Sequence, residues 1–366
     1  IAKVRCSRLI AYLKNKLLTQ KFGYQEEDLD QKLHELVSFD AVNPFEENAE
    51  VQRRIIEDLD KCTILDPACG SGAFPMGILQ KMVHILQKLD SENKVWKEVQ
   101  NEKARQESAD VFEMEDKEAR KERLLEINEA FDESLNYPDY ARKLFLIENC
   151  IYGVDIQSIA TQISKLRFFI SLVVDQKVDP SKDNFGIRPL PNLETKFVAA
   201  NTLIGIEKPK EQLNLFDDSN PEIEKLEAEL KKVRHRLFSS KSPSHKRKLR
   251  EQDKALREQI AVVLQKNGWN IDTASKLANW NPYNLNDSVG FFDPEWMFDI
   301  SDGFDIVIGN PPYVFGGSEK ISDSDKKYFK SNFASGNQKV NLFAIFIEKG
   351  IQLLKNEACI CYIIPN

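Results

Sequence analysis

Apolar residues along the chain follow two periods, and the change from one to the other marks the elements. Residues 1 to about 60 carry apolar positions three and four apart among charges, interrupted at Gly23 and at "NPFEEN", 43–48. This predicts helices joined by turns. Short apolar runs then recur at Thr63–Leu65, Ile151–Val154, Phe197–Ala200, Phe304–Ile308 and Ala358–Ile364, each predicted as a strand. Helical stripes lie between several of them, as at Leu79, Met82, Val83 and Leu86. Alternating strand and helix predicts an α/β fold with a doubly wound, mostly parallel sheet, here with a helical amino-terminal segment and helical insertions.

Two charged inserts interrupt the alternation. Residues 91–140 are dense in Glu, Lys and Arg and predict an exposed helix, a solvated excursion from the surface. Within 207–290, Ile223, Leu226, Leu230, Val233 and Leu237 are followed beyond "SSKSPS" by Leu249, Leu256, Ile260 and Val263. That spacing predicts an antiparallel helical hairpin with a coiled-coil seam. Its tip, "RHRLFSSKSPSHKRKLR" (234–250), is a basic cluster suited to phosphates or simply to solvent.

Composition narrows the classes. The 366 residues are 42% apolar, enough for a real core. The net charge of −7 gives no global basic field, so contact with nucleic acid must rest on local patches or on sequence elsewhere. Cys6, Cys62, Cys69, Cys150, Cys359 and Cys361 form no C-x-x-C pair and read as small buried hydrophobes of a reducing, cytoplasmic setting, with no metal site. No apolar run reaches membrane-spanning length, and no membrane or protein partner is indicated. The chain begins with Ile and stops directly after the fifth predicted strand, and so reads as a piece of something longer.

Candidate chemistry sits at the strand ends. "DPACGSGAF" (66–74) places Gly70 and Gly72 in a tight turn between a strand and a helix, where backbone N–H groups can approach a ligand closely. Asp155 closes the second strand and suits the two hydroxyls of a ribose. The turn lacks the third glycine of a dinucleotide fingerprint and the Gly-Lys-Ser/Thr of a P-loop, so a nucleoside without phosphates fits better. Asp66 suits an ammonium group and the N–H groups of Gly70 to Ala73 a carboxylate. An amino acid joined to a nucleoside has both, and S-adenosylmethionine is that molecule. Asn201, in "FVAANTLIG", has an amide suited to an adenine edge, while Asn beside Gly205 also builds turns.

The sharpest signal is "DIVIGNPPY" (305–313), a strand with Asn310, Pro311, Pro312 and Tyr313 at its carboxyl end, the ligand-binding edge of open α/β sheets. An aromatic amine is a poor nucleophile because its lone pair is delocalised. Two acceptors aimed at its two hydrogens, the Asn310 side-chain oxygen and the Pro311 carbonyl, favour the tetrahedral geometry that methylation needs. The prolines stiffen the loop, and Tyr313 can stack on a flat base. "NWNPYN", with Asn281, Pro282 and Tyr283, lacks the second proline and the preceding strand and reads as a turn.

The set "DPACGSGAF", "YGVD", "NPPY" and "NLFAIFIEKGIQLL…YIIPN" resembles the amino methyltransferases of DNA that make N6-methyladenine. More narrowly it resembles the type IIG enzymes, which combine restriction and modification in one chain, and the related phage-exclusion methyltransferases. Most of residues 62–366 take part. The resemblance implies a Rossmann-like methyltransferase fold that uses S-adenosylmethionine and acts on double-stranded DNA at a specific target site. By position it implies Asp66, Ala68, Gly70 and Gly72 as the cofactor turn, Asp155 as the ribose acid and Asn201 as a contact of the cofactor adenine. It likewise implies Asn310 to Tyr313 as the catalytic loop and Phe346 as an aromatic beside that adenine; from spacing alone Phe346 is equally a core residue with Leu342, Phe343 and Ile347.

The domains expected on this basis are a helical segment 1–60, a cofactor-binding half 61–206 carrying the insert 91–140, a hairpin insertion 207–290 and an incomplete catalytic half 291–366. The sequence departs from the family in lacking a Tyr-Thr-Pro segment before the first strand and in the long interval from Asp66 to Asp155. No Pro-Asp…Glu-x-Lys nuclease pattern precedes residue 60, so cleavage is not assigned, and target recognition is expected after the catalytic domain. The loop also admits a methyltransferase for release-factor glutamine or ribosomal RNA guanine, and the fold admits a non-catalytic scaffold that only binds the cofactor.

Overall fold

The computed structural model describes residues 2–19, 22–40, 42–112, 120, 124, 128, 137–176, 178–181, 183–187, 191–207, 221–240, 242–314, 321–337 and 340–364. The chain forms two compact units, one of Ile1–Thr63, Met76–Ile151 and Ile170–Arg188, the other of Ile64–Pro75, Tyr152–Phe169 and Pro189–Asn366.

The first unit is helical, with α1 (Ala2–Thr19), α2 (Glu26–Val37), α3 (Ala49–Lys61), most of α4 (Ala73–Leu89), α5 (Lys94–Phe112) and α6 (Pro138–Asn149). Leu9, Leu13 and Leu17, then Leu29, Leu33 and Leu36, then Val51, Ile55 and Leu59 are buried. Each set recurs every three or four residues, so one face of each helix is withdrawn from water. Asn48 starts α3 by accepting from the Val51 N–H at 3.1 Å.

The charged insert begins at a buried knot within this unit. Asp90 accepts from the N–H groups of Lys94 and Trp96 and, at 2.8 Å, from Arg142 Nη2. The Arg142 guanidinium lies over the buried Trp96 ring. The expected helix of 91–140 is thus present as α5, its start pinned to α6. Apart from 120, 124 and 128, residues 113–136 lie outside the described residues.

The second unit holds a five-stranded parallel sheet of β1 (Ile64–Asp66), β2 (Ile151–Asp155), β3 (Phe197–Ala199), β4 (Phe304–Gly309) and β5 (Leu354–Tyr362) in the order β3-β2-β1-β4-β5. The chain winds outward from β1 to β3 and then returns to β4 on the other side of β1. The β1–β4 boundary is therefore the point at which the strand order reverses, where such sheets bind ligands. There Ile64 pairs with Ile306 and Leu65 with Val307. All six residues of β4 are buried, as expected of a parallel strand covered on both faces.

Strand β5 corrects the expected bounds of Ala358–Ile364. It begins at Leu354, opposite Phe304, and is irregular between that pair and Ile306–Cys359. Glu357, at φ +61°, absorbs the shift. The polar stretch "KNE" hid this first half because it alternates in neither period. Cys359 and Cys361 on β5 are half-buried, unlike the buried Cys62, Cys69 and Cys150.

The predicted hairpin forms as α8 (Pro221–Ser239) and α9 (Pro243–Lys266), after α7 (Ser158–Val173). Its two helices pack against each other, and the seam between them continues into a larger core. Leu230, Val233, Leu237, Leu249, Leu256 and Ile260 share one core with Leu65, Val154, Val198 and Val307 of the sheet. Its turn sits beside the chain entering β3, where Asn192 N–H donates to the Phe238 carbonyl at 3.1 Å. That is the amino end of the strands. Two arginines of the basic tip are spent internally. Arg250 pairs with Glu194 at 3.2 Å, and Arg234 is buried.

Asp253 holds both Arg234, at 3.1 Å, and Arg257, at 2.8 Å, and those guanidiniums also donate to the carbonyls of Trp296, Ala278 and Trp280. The carboxylate is fully buried. Helices α10 (Ile271–Asn279) and α11 (Pro294–Phe298) are therefore tied to the hairpin by one charge. Removing one partner of a buried ion pair leaves an uncompensated charge and costs about 3–5 kcal/mol. Replacement of Asp253 by alanine is expected to lower unfolding stability by about that amount in urea titrations; an unchanged midpoint would show that the cluster holds nothing together.

Candidate functional site

The turn after β1 is built by backbone bonds to its neighbours. Cys69 N–H donates to the Val154 carbonyl at 2.9 Å, and Gly70 N–H donates to Asp155 Oδ2 at 2.9 Å. The ends of β1 and β2 are thereby joined. Gly70 and Gly72 have φ of +53° and +77°, a region costly for residues bearing a Cβ. At Gly72 a Cβ would also stand 2.8 Å from Ser164 Oγ. Ser164, on α7, is fully buried and donates to the Gly70 carbonyl at 2.9 Å. At Gly70 nothing lies within 4 Å of where a Cβ would be, so that side of the turn is open.

A cavity of about 370 Å³ occupies the carboxyl ends of the strands, within the roughly 300–1,000 Å³ range of small-molecule sites. The structure brings Ala68, Gly70, Asp155, Asn201, Asn310, Pro312 and Phe346 together on its walls. Asp66, Gly72, Pro311 and Tyr313 are not on its walls. Asp66 is buried. Its Oδ1 accepts from the Ala68 N–H at 3.1 Å, and a Cβ on Gly309 would come within 2.7 Å of that oxygen. Asp66 thus shapes the turn and leaves no room for a side chain at the end of β4. The Tyr313 hydroxyl stands 2.7 Å from Asn310 Oδ1 and 2.8 Å from the Ile363 carbonyl oxygen.

Asp155 engages both oxygens, Oδ2 with Gly70 and Oδ1 with the Gln157 N–H at 2.9 Å. Asn201 Oδ1 accepts from the Leu203 N–H at 3.1 Å, so this residue is both a turn former and part of the wall. Phe346, on α13 (Leu342–Gln352), likewise combines the two readings of its position. It is buried in a cluster with Leu203, Ile321, Phe329 and Ile345 while one side faces the cavity.

Several further residues border the site. Ile156, 60% exposed, follows Asp155 into the cavity wall, and a large apolar side chain directly after a strand-end acid was a usable signal. Thr202, buried, donates its hydroxyl to the Pro67 carbonyl at 2.7 Å. Asp325 and Phe329, on α12 (Asp323–Asn332), also line the cavity, and Tyr328 between them accepts from the Gly205 N–H at 3.1 Å. No pattern along the chain marks Ser164, Thr202 or Asp325. Burial, reinforced by the charges of Asp66 and Asp155, pushes the Cys69 thiol well above its ordinary range; the protonated thiol is inert. Asn281 to Tyr283 form an Asx turn, with Tyr283 N–H donating to Asn281 Oδ1 at 3.1 Å. Among the described residues no cluster of His, Cys, Asp or Glu is arranged to hold a metal ion, and no helix is long and apolar enough to cross a membrane.

A doubly wound parallel sheet with a glycine turn, a strand-end acid and an Asn-Pro-Pro-Tyr loop around one cavity belongs to the Rossmann-like methyltransferase type. Comparison with known proteins narrows the class. Residues 149–366 match the model of the Eco57I restriction-modification methylase family, and the chain belongs to that family. It is 25% identical over 369 aligned positions, 87% of the chain, to a putative type II restriction enzyme and methyltransferase of Methanocaldococcus jannaschii. A type II restriction enzyme and methyltransferase of Escherichia coli, RM.Eco57I, is 30% identical over 19% of the chain. A type II methyltransferase of Thermus thermophilus is 28% identical over 19%. The alignments span 27%, 7% and 17% of these relatives respectively.

The two glycines of the turn separate backbone conformation from packing. Glycine 70 replaced by alanine (G70A) is expected to cost about 1–2 kcal/mol, from the left-handed backbone alone. G72A adds the overlap with Ser164, a further 1–3 kcal/mol or so. Urea unfolding of the two variants should rank them in that order; equal losses would mean that Ser164 does not pack against the turn.

Proposed function

We propose that this chain is the methyl-transferring part of a restriction-modification enzyme, moving a methyl group from S-adenosylmethionine to N6 of an adenine turned out of double-stranded DNA. The observation that carries the reading is that Asn310, at the end of β4, lines the same cavity as Asp155, Asn201 and Phe346.

The residues present suit the cofactor. Each Asp155 oxygen keeps a lone pair beyond the one its backbone partner takes, enough to accept a ribose hydroxyl. Ile156 and Phe346 offer apolar surface to a purine, Asn201 an amide to its edge, and the open side of Gly70 a place for backbone approach. The shared lining is consistent with one ligand reaching from Gly70 to Phe346. S-adenosylmethionine, when bound, supplies a methyl group on an electrophilic sulfonium.

The chain's own part is to prepare the nucleophile. Asn310 Oδ1 and the Pro311 carbonyl each accept one hydrogen of the amine, which draws the nitrogen toward pyramidal geometry and frees its lone pair. Positive charge developing on the nitrogen would strengthen both hydrogen bonds to Asn310 and Pro311, and the proton it then sheds would pass to solvent. A stacked, paired adenine cannot present its amine in line, so the base leaves the helix. Tyr313, 43% exposed, has a ring face to receive it. Recognition of the DNA sequence is proposed to lie outside 207–290, because the apolar residues of the hairpin are taken up in the core and its turn lies beside the chain entering β3.

Alanine in place of Asn310 in the complete enzyme is expected to lower methyl transfer to DNA by roughly 10²–10³-fold while leaving cofactor affinity intact. D155A is expected to weaken cofactor binding instead. Tritium transfer and titration calorimetry separate the two effects. Normal transfer by N310A, or transfer to RNA or protein but not to DNA, would refute the assignment.

A further inference from the structure

The Tyr313 hydroxyl faces two oxygens, Asn310 Oδ1 at 2.7 Å and the Ile363 carbonyl at 2.8 Å, yet a phenol has one proton to give. The Ile363 carbonyl can only accept. Its place is set by the backbone, since Ile363 N–H donates to the Gly309 carbonyl at 3.0 Å just past the β4–β5 ladder, whose last pair is Gly309–Tyr362. Asn310 is different. Turning its amide over about the last torsion exchanges nitrogen and oxygen in nearly the same space.

The two orientations do not make the same number of bonds. With Oδ1 toward the phenol, the single proton satisfies either Asn310 or Ile363. With Nδ2 toward it, Nδ2–H donates to the phenol oxygen and the phenol donates to Ile363. Two hydrogen bonds form in place of one, and Oδ1 is released on the side of Asn310 away from Tyr313. Asn310 lines the cavity, so the released oxygen is available to a donor arriving there.

We propose that Tyr313 and the Ile363 carbonyl orient Asn310, so that it offers its oxygen and not its amide hydrogens to an incoming amino group. This rests on the reading of Asn310 as the acceptor for the target amine. Tyr313 then has two separable functions, a ring face for the base and a hydroxyl that acts through Asn310. The hydroxyl makes it a positioning residue for the nucleophile. The proton involved never leaves the phenol; only its acceptor changes.

Tyr313→Phe keeps the ring and removes the hydroxyl. In the complete enzyme, on DNA carrying 2-aminopurine at the target position, the fluorescence rise of an unstacked base and the KM for DNA are expected to stay as in the parent. Single-turnover transfer to the adenine substrate is expected to fall about 3- to 10-fold, the scale of one net hydrogen bond. Asn310→Asp supplies an oxygen on both sides, so adding Y313F to N310D is expected to cost nothing more. A Y313F rate equal to the parent's would overturn the proposal, as would an undiminished loss in the N310D background. Should N310D be too slow to measure, the Y313F rate decides alone. Full activity of N310A would instead overturn the function assigned to the site.

Discussion

The site depends on the hydrogen bond between Gly70 N–H and the Asp155 carboxylate, with its companion from Cys69 N–H to the Val154 carbonyl. Parallel pairing brings strand ends to one edge but does not shape the loops that leave them. These two bonds fasten the turn after β1 to the end of β2, and the chain then leaves them through the positive φ of Gly70 and Gly72, which glycine adopts without the cost other residues meet. Ser164 and Thr202 lock the same turn from α7 and from the loop after β3, through the carbonyls of Gly70 and Pro67. On the other side, Asp66 lies so close to Gly309 that β4 must end without a side chain directly before Asn310. The cavity wall is thus continuous from β3 to β4 because each strand end is tied to the next.

Burial explains which sequence signals were legible. Strands β1, β2 and β4 are buried nearly throughout, so their apolar runs stood out, and turns that need glycine or proline stood out beside them. The first half of β5 is only partly buried and mostly polar, and it did not stand out. The hairpin was legible as two helices, because residues at 230, 233, 237, 249, 256 and 260 repeat at helical spacing. The larger core that the stripe joins was not, since an apolar stripe looks the same in sequence whatever it packs against beyond its neighbouring helix. Ser164 and Thr202 bond to segments far apart in the chain, and Asp325 joins the other residues only at the cavity, which no local pattern encodes. Tyr313 was read for its ring, while its hydroxyl bonds became visible only once Ile363 was brought beside it.

The acidic balance of the chain also finds a place in the structure. The densest run of basic residues, 234–250, adjoins the amino end of β3, and it gives Arg234 and Arg250 to internal carboxylates. The cavity edge carries Asp155 and Asp325 instead. A site of this sign favours a cationic sulfonium over a phosphate, in keeping with the proposed cofactor.

A crystal structure of the protein with S-adenosylhomocysteine, the product of the proposed cofactor, tests the central claim most directly. The ribose is expected on Asp155, the purine between Ile156 and Phe346, and the sulfur open toward Asn310. A ligand seated elsewhere, or one bound in this cavity with its sulfur turned away from Asn310, would contradict it.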